Sequence, residues 1–286
     1  MINSTRYRAL TQISQQSKLT AQIARLQSDI STTKRIDTAS DDPIAAARVA
    51  QLRSEQADTA TWKRNIENAQ SIAAQADTSI GSVQDVFNRV KELVLAGRTQ
   101  SVSPTDRAAI VQELGELNVT LNNLMTGTTP TGQPIFPSDA PLQISVSGVL
   151  RLPATGKQGD VFDNVAIPSG GTTSLSAIIT AAQTAIGTDD PTTRATMADT
   201  VLDNVDASST HLNSQRAAQG VRASRLDAAA DALELGNLRL TEERSGLEDT
   251  DVTAAVMQLN AKTLSLQAAQ AAFARVNRNT LFDFLS

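Results

Sequence analysis

The amino-acid sequence predicts a mainly α-helical protein, in which the N- and C-terminal segments form a long antiparallel helical bundle or coiled coil, with a small central β-hairpin region. Three observations lead to this fold class. Apolar residues repeat at heptad spacing in long segments toward both ends. Aromatic residues make up only 3% of the chain, which favours thin helical packing over a thick globular core. Between residues 127 and 190, glycine, proline, serine and threonine dominate and helical periodicity disappears.

The clearest apolar pattern lies in residues 251–285, where one helical face carries a heptad row and the other faces carry many alanines and little charge. A helix that is apolar or small on nearly all sides must be covered on several sides. Residues 19–30 repeat the same spacing, so we expect the two ends to pair and to present their remaining surface to other copies. The predicted terminal packing and assembly residues are Leu19, Ile23, Leu26, Ile30, Val252, Val256, Leu259, Leu266 and Phe273.

Three helix starts carry the same local signal. Asp42-Pro43, Ser103-Pro104 and Asp190-Pro191 each place a capping side chain directly before a proline. The side chain of an N-cap residue accepts a hydrogen bond from a free amide of the first turn, and proline suits the next position because no amide donor is needed there. We therefore expect helices to begin at these prolines, and we assign the acidic pairs Asp41-Asp42 and Asp189-Asp190 to capping.

The segments that follow these starts carry apolar rows at spacings of three and four. The most regular row, residues 66–94, is longer than most globular helices, and a second row covers residues 110–124. A third, residues 201–240, is interrupted by Gln215, Gln219 and Arg222, so we expect looser or wetter packing there. The predicted bundle-core residues are Ile66, Ile80, Val83, Phe87, Val90, Val94, Ile110, Leu114, Leu117, Leu121, Leu124, Leu226 and Leu233.

The central segment predicts strands instead of a long helix. Leu142, Ile144 and Val146 alternate with polar residues, and a second apolar group lies in residues 161–167. This pattern predicts one or two short β-hairpins, followed by an alanine-rich helix near residues 175–186. We expect three domains: a terminal coiled coil of residues 1–43 with 247–286, a helical bundle of residues 44–128 with 190–246, and a small β-rich excursion of residues 129–189.

Composition argues against several classes of function. The absence of cysteine excludes disulfides, thiolate metal sites and cysteine nucleophiles. The net charge is −5 with both signs interspersed, and no uncharged apolar run approaches the roughly 18 residues of a membrane span, so we expect neither a nucleic-acid nor a membrane partner. His211, the only histidine, has no nearby residues to complete a metal or catalytic site. We expect no cofactor and no enzymatic activity.

Several short motifs resemble one protein family. The motif residues are Ser40, Asp41, Asp42, Pro43, Ile135, Phe136, Leu281, Phe282 and Leu285. Together they are similar to the flagellin superfamily of axial proteins, in the form found in its hook-associated protein 3 branch, the hook–filament junction proteins. Two positions differ from the usual pattern. Thr33 stands where the family commonly has glycine, and Pro137-Ser138 follows Phe136 where Ala-Gly or Ser-Gly is common.

This resemblance implies a structural axial protein of the bacterial flagellum that joins hook to filament by helical self-assembly through its terminal helices. The implied partners are copies of itself, the adjacent hook-side junction protein, flagellin, and an export chaperone that binds the C-terminal helix. The implied location is extracellular, at the hook–filament junction, after export without a cleaved signal peptide; the first residues lack the apolar core of such a peptide. Two alternatives remain open: flagellin itself, or an intracellular coiled-coil scaffold or signalling protein.

Overall fold

The computed structural model describes the backbone of residues 2–282, and the side chains of residue 7 and residues 10–275. The helices are α1 (Ile2–Thr32), α2 (Pro43–Gly97), α3 (Pro104–Met125), α4 (Leu175–Gly187), α5 (Pro191–Glu248) and α6 (Val252–Phe282), with a short π-helix at Gly159–Asp163. The strands are β1 (Gln143–Ser145), β2 (Arg151–Pro153), β3 (Val165–Ala166) and β4 (Thr172–Thr173).

The two terminal helices pack against each other, and the sheet is confined to two short hairpins. Strands β1 and β2 are antiparallel with Gln143 opposite Pro153, and β3 and β4 are antiparallel with Val165 opposite Thr173. The mainly α fold class and the central hairpin region predicted from the sequence are therefore confirmed.

The three proline-marked helix starts have the geometry that the sequence predicts. The amide of Ala45 donates to Asp42 Oδ1 over 3.0 Å at the start of α2. The corresponding distances are 3.1 Å from the Asp106 amide to Ser103 Oγ, and 2.7 Å from the Thr193 amide to Asp190 Oδ2. Each cap satisfies one amide that the helix itself cannot pair, which explains why these helices begin where they do.

Only the second aspartate of each acidic pair caps a helix, so the assignment of both members to capping was wrong. Asp189 instead forms an ion pair with Arg107, with 2.8 Å between Oδ1 and Nη2. The carboxylate of Asp41 accepts from the amides of Thr38 and Asp37 in the preceding loop. The first residue of each pair therefore stabilises a contact outside the helix start, a local loop for Asp41 and a distant ion pair for Asp189.

The chain divides into two compact units, one of residues 1–57 with 237–286 and one of residues 58–236. The three-domain division, with boundaries at 43, 128, 190 and 246, stays a prediction. Within the central unit, α3 packs on α4. Helix α2 ends at Gly97, where an added Cβ would lie 2.8 Å from Ile186 Cγ2, so the close approach of α4 requires glycine.

The core of the central unit consists of two clusters of buried side chains. The larger cluster contains Phe87, Phe136 and Phe162, and the smaller one combines residues of α2 and α5 with the first hairpin. Of the predicted bundle-core residues, the structure buries Ile66, Ile80, Val83, Phe87, Val90, Val94, Leu114, Leu121 and Leu226. It places Ile110, Leu117, Leu124 and Leu233 half-buried against these clusters.

Gln219, which interrupts the apolar row of α5, is fully buried and hydrogen-bonded. Its Nε2 donates to the carbonyl oxygens of Ala73 and Ala154 over 3.3 and 2.7 Å. Arg222 donates to Gln219 Oε1 over 3.3 Å, and partial burial lowers the pKa of its guanidinium. This polar connection between α2, α5 and the strand region is a specific feature rather than the loose packing expected from the sequence, because a buried amide requires partners.

Candidate assembly site

Helices α1 and α6 form an antiparallel pair. At one end the amide of Thr250 donates to the carbonyl of Thr33 over 2.9 Å, and further along Lys262 Nζ donates to Gln22 Oε1 over 2.9 Å. From the first contact to the second, the residue number increases along α6 and decreases along α1, so the two helices are antiparallel. Since both helices carry heptad rows, the pair has the pattern of a two-helix coiled coil.

The apolar residues between the two helices form a surface that we name the inner seam. Its members on both helices are half-buried: Leu19, Ile23, Leu26, Ile30, Leu259, Leu266 and Phe273. Val252 and Val256, which the sequence analysis grouped with them, are each 40% exposed. One helix partner therefore covers the predicted terminal residues only in part, since a two-helix contact shields one stripe of each helix.

Helix α6 carries a second apolar row on the side opposite the inner seam, which we name the outer seam. Its members are spaced four, three, four and three and are all exposed: Met257, Ala261, Leu264, Ala268 and Ala271. Met257 is 63% exposed and Leu264 is 68% exposed. The sequence analysis noted the alanines but missed this row, although its three- and four-residue spacing is the ordinary signal of a coiled-coil face.

The connector that follows α1 is held against the corner between α5 and α6. The amide of Arg35 donates to the carbonyl of Glu248 over 2.7 Å, and Arg35 Nη2 donates to the carbonyl of Leu247 over 2.8 Å. The nearly buried carboxylate of Glu248 lies 2.7 Å from both Lys34 Nζ and Arg53 Nη2. The Lys34 ammonium lowers the pKa of Glu248 against the opposing effect of burial, and Arg53 adds to this.

Replacement of Glu248 by glutamine is expected to lower the stability of the α1–α6 pair by about 2 kcal/mol, because two cations lose a buried ionic acceptor while water screens their exposed sides. Hydrogen exchange of α6 amides measures this change. Glu243→Gln is the matched control, since it removes an equally charged partner of Arg48 from an exposed ion pair. If Glu248→Gln and Glu243→Gln lowered the protection of α6 amides from hydrogen exchange equally, Glu248 would have no special role.

The loop that carries Ser40 and Asp41 is organised by one carboxylate. Asp41 Oδ2 accepts from the amides of Thr38 and Asp37 over 3.0 and 3.2 Å, and Asp41 Oδ1 lies 2.8 Å from Arg25 Nη1. The hydrogen bond from Thr38 is the largest of the effects that lower the pKa of Asp41 from 3.8 to about 2. Three donors to a single carboxylate favour its charged form.

Acid is expected to loosen this loop. A carboxyl group whose pKa is lower in the folded state stabilises that state above its ordinary pKa, and the effect is lost as pH falls through the folded value. The contribution of Asp41 should therefore be complete above pH 3.8 and disappear toward about pH 2. An NMR titration of the Asp41 carboxyl carbon measures the folded pKa directly. A midpoint near 3.8 would contradict the proposed geometry, and Asp41→Asn should remove this titration.

Thr33 occupies a backbone conformation that suits glycine. Its φ is 57°, in the left-handed region, where a β-branched side chain clashes with its own backbone. This is the position at which the family pattern commonly has glycine, so the departure noted in the sequence has a structural consequence. The strained residue lies directly between α1 and the connector.

Replacement of Thr33 by glycine is expected to stabilise the α1–α6 pair by about 1 kcal/mol, because relief of the left-handed strain outweighs the added freedom of the unfolded chain. Protection of α1 amides from hydrogen exchange should rise accordingly. Thr32→Gly, the same substitution at the last residue of α1, should have the opposite sign because glycine weakens a helix. If Thr33→Gly and Thr32→Gly both lowered the protection of α1 amides, the backbone of Thr33 would not be strained.

The motif residues Ile135 and Phe136 lie in the core of the central unit. Phe136 and Phe162 are buried and meet edge to face, with ring centroids 4.8 Å apart. The carbonyl of Ile135 accepts from Thr155 Oγ1 over 2.8 Å. Of the C-terminal motif, Leu285 and the side chains of Leu281 and Phe282 lie outside the described residues.

The arrangement offers apolar packing surfaces, and the single histidine contributes to packing in the central unit. His211 Nε2 lies 3.1 Å from the carbonyl oxygen of Val161 and 3.2 Å from that of Asp160, so it donates to the backbone of the π-helix. In the part of the chain that the structure describes, no group of three His, Cys, Asp or Glu side chains converges on a possible metal position. No helix within residues 2–282 combines the length and apolar character needed to cross a membrane.

Two family models match this chain at its two ends. The bacterial flagellin N-terminal helical region covers residues 3–139, and the bacterial flagellin C-terminal helical region covers residues 202–285. These segments include α1, α6 and most of the long helices between them. The chain belongs to the flagellin superfamily. The resemblance found in the sequence is confirmed, and flagellin-superfamily proteins are structural components rather than enzymes in general.

Similar proteins within the flagellin superfamily include both junction and filament proteins. The flagellar hook-associated protein 3 of Salmonella typhimurium is 32% identical over 125 residues, which cover 41% of this chain but only 37% of that protein. The flagellar filament 30.7 kDa core protein of Treponema maltophilum is 23% identical over 252 residues, 87% of this chain and 86% of that protein. The solved flagellar hook-associated protein-3 of Legionella pneumophila shares the fold, with a TM-score of 0.59 at 12% identity over 70% of this chain and 98% of that one.

Proposed function

We propose that this chain is an axial adaptor that joins flagellar hook to filament by helical self-assembly through its terminal helices. The observation that carries the proposal is the outer seam of α6, which remains exposed after α1 has covered the inner seam. An exposed heptad row of this length is a surface that favours association with another helix. Contacts that repeat between identical subunits without closing generate a helical tube.

The inner seam and the outer seam have different roles in this proposal. Residues of the inner seam hold α1 and α6 together within one subunit, and the exposed Val252 and Val256 add to the surface offered to neighbours. The terminal pair, residues 1–43 with 247–286, acts as the domain that lines the assembly. Residues 44–128 with 190–246 form a helical-bundle domain, and residues 129–189 form a small β-rich excursion.

The similarity to the Salmonella hook-associated protein favours the junction over the filament. The proposed neighbours are copies of this chain, the hook-side junction protein and flagellin, with an export chaperone on the C-terminal helix before assembly. The proposed location is outside the cell, at the hook–filament junction, after export without a cleaved signal peptide. The absence of cysteine supports this route because an unfolded chain in transit cannot form premature disulfides.

A hook-seeding assay tests the proposal. Purified chain is added to isolated hooks, and the length of the added zone is measured by electron microscopy. A short zone that stops and then accepts flagellin is the expected result. No addition to hooks, under conditions in which a known junction protein adds, would overturn the proposal.

Filament formation is the alternative favoured by the length of the Treponema match. A filament subunit should grow long polymers in the same assay without a second protein. An intracellular coiled-coil scaffold is tested by limited proteolysis of the isolated chain in dilute solution, where a stable helical dimer should resist cleavage at both ends. An axial subunit should be cleaved at its ends before its central unit, because the α1–α6 pair leaves much of its apolar surface uncovered before assembly.

A further inference from the structure

Helix α5 carries an exposed heptad row in the central unit, in addition to its buried face. Leu226 and Leu233 pack inward against the smaller core cluster. On the other side the exposed residues are spaced three, four, three and four: Val221, Ser224, Ala228, Asp231 and Leu235. Val221 is 60% exposed and Leu235 is 59% exposed. We name this row the α5 seam.

The α5 seam and the outer seam of α6 match in length and spacing. In each, the last member lies 14 positions after the first, which is about 21 Å of helix at 1.5 Å per residue. The outer seam has large apolar residues at Met257 and Leu264 with alanines at its other positions, whereas the α5 seam has them only at its ends, Val221 and Leu235. The large side chains of each row can therefore lie beside small residues of the other, as in the faces of a coiled coil.

The two seams lie in segments of opposite net charge. The α5 seam contains Asp231 and has the exposed Asp227, Glu234 and Arg225 beside it, and the exposed Arg239 continues it by one further step of four. Helix α6 has three basic residues and no acidic one, and its exposed Arg275 continues the outer seam by one further step of four. Together α1 and α6 hold seven basic residues and one acidic residue, whereas residues 33–251 hold 18 basic and 28 acidic.

We propose that the outer seam of one copy docks on the α5 seam of a second copy. This inference rests on the proposed self-assembly and names the two surfaces that meet. The contact joins different surfaces of identical subunits, so it is head-to-tail and adds subunits without limit unless rotation closes a ring. The net positive charge of α1 and α6 and the net negative charge of residues 33–251 speed the encounter and disfavour contact between two terminal helix pairs, which are both basic. The apolar rows then exclude water between the helices.

Cross-linking between two copies tests the contact directly, because the chain has no cysteine of its own. One copy carries Leu264→Cys and the other, enlarged by a tag, carries Ala228→Cys; both positions lie in the middle of their seams. Treatment of mixed hook-seeded assemblies with a short bifunctional thiol reagent is expected to yield the mixed dimer. The control replaces Ala228→Cys by Val119→Cys, an exposed position on α3 that should not cross-link.

The outcomes separate this contact from the proposed function. Suppose that assemblies form on hooks but Ala228→Cys yields no more mixed dimer than Val119→Cys. This result would overturn the contact and leave the junction role intact. Failure of the unmodified chain to add to hooks would overturn the junction role instead. The cross-linking variants are used only if each alone adds to hooks as the unmodified chain does.

Charge reversal provides a second measurement. The double change Asp231→Lys with Glu234→Lys is expected to slow hook-seeded addition about tenfold at low salt, with the difference shrinking as salt rises. The double change Glu116→Lys with Asp139→Lys, at two exposed positions outside the α5 seam, controls for net charge because it alters the charge by the same amount. Equal rates for the double variant and the control would overturn the proposed charge complementarity.

Discussion

Replacement of Leu259 by aspartate is expected to abolish addition of this chain to hook ends while the central unit stays folded. Leu259 is half-buried in the inner seam, and an aspartate there places an unpaired charge between α1 and α6 at a cost of several kcal/mol. That cost is comparable to the whole stability of a two-helix contact, so the terminal pair should separate. Residues 58–236 have their own core and should keep it.

The measurement combines the hook-seeding assay with thermal unfolding followed by circular dichroism. Gln258→Glu is the matched control, since it adds the same charge at the exposed neighbouring position and should add to hooks normally. Leu266→Asp should reproduce the effect of Leu259→Asp one heptad further along. Normal addition of both leucine variants would show that the terminal pair is not needed for assembly.

Replacement of Phe136 by alanine is expected to lower the unfolding free energy of the central unit by about 3–5 kcal/mol. The ring is 1% exposed and meets Phe162 edge to face, so its loss leaves a cavity beside a second aromatic ring and removes their favourable contact. The measurement is urea-induced unfolding followed by circular dichroism.

Two further variants make this result specific. Val149→Ala removes apolar atoms from a side chain that is 99% exposed at the tip of the first hairpin, and should change stability by less than about 0.5 kcal/mol. Phe136→Leu should have an intermediate effect because leucine fills part of the cavity. A loss for Phe136→Ala as small as that for Val149→Ala would contradict the position of the motif in the core.

Local rules were sufficient to predict the helices and hairpins of this chain. Each cap at Asp42, Ser103 and Asp190 involves atoms three residues apart, so the signal and its structural effect lie in the same short segment. The same is true of the β1–β2 hairpin, whose alternating residues and connecting turn are adjacent in sequence. Interactions of such short range do not depend on how the rest of the chain folds.

The candidate assembly site could be predicted only in part. The inner seam follows from heptad spacing in both terminal helices, and that spacing also identifies Met257 and Leu264 once the opposite face of α6 is considered. The binding of Glu248 by Lys34 and Arg53 could not be predicted in this way. These residues are far apart in sequence, and many other acidic and basic residues of the chain could have formed the same pairs.

The sequence by itself determined that both ends are helices with apolar rows, where the long helices begin, and which superfamily the chain belongs to. The helices and their starts follow from backbone preferences and side-chain periodicity, which act within a few residues, whereas the superfamily was indicated by the resemblance of short motifs. The pairing of α1 with α6 was predicted, but only the tertiary structure decided which residues of α6 that pairing covers and that the outer seam stays exposed. A heptad row shows that a helix has a partner but does not show how much of the helix surface one partner covers, because that depends on how the two helices pack.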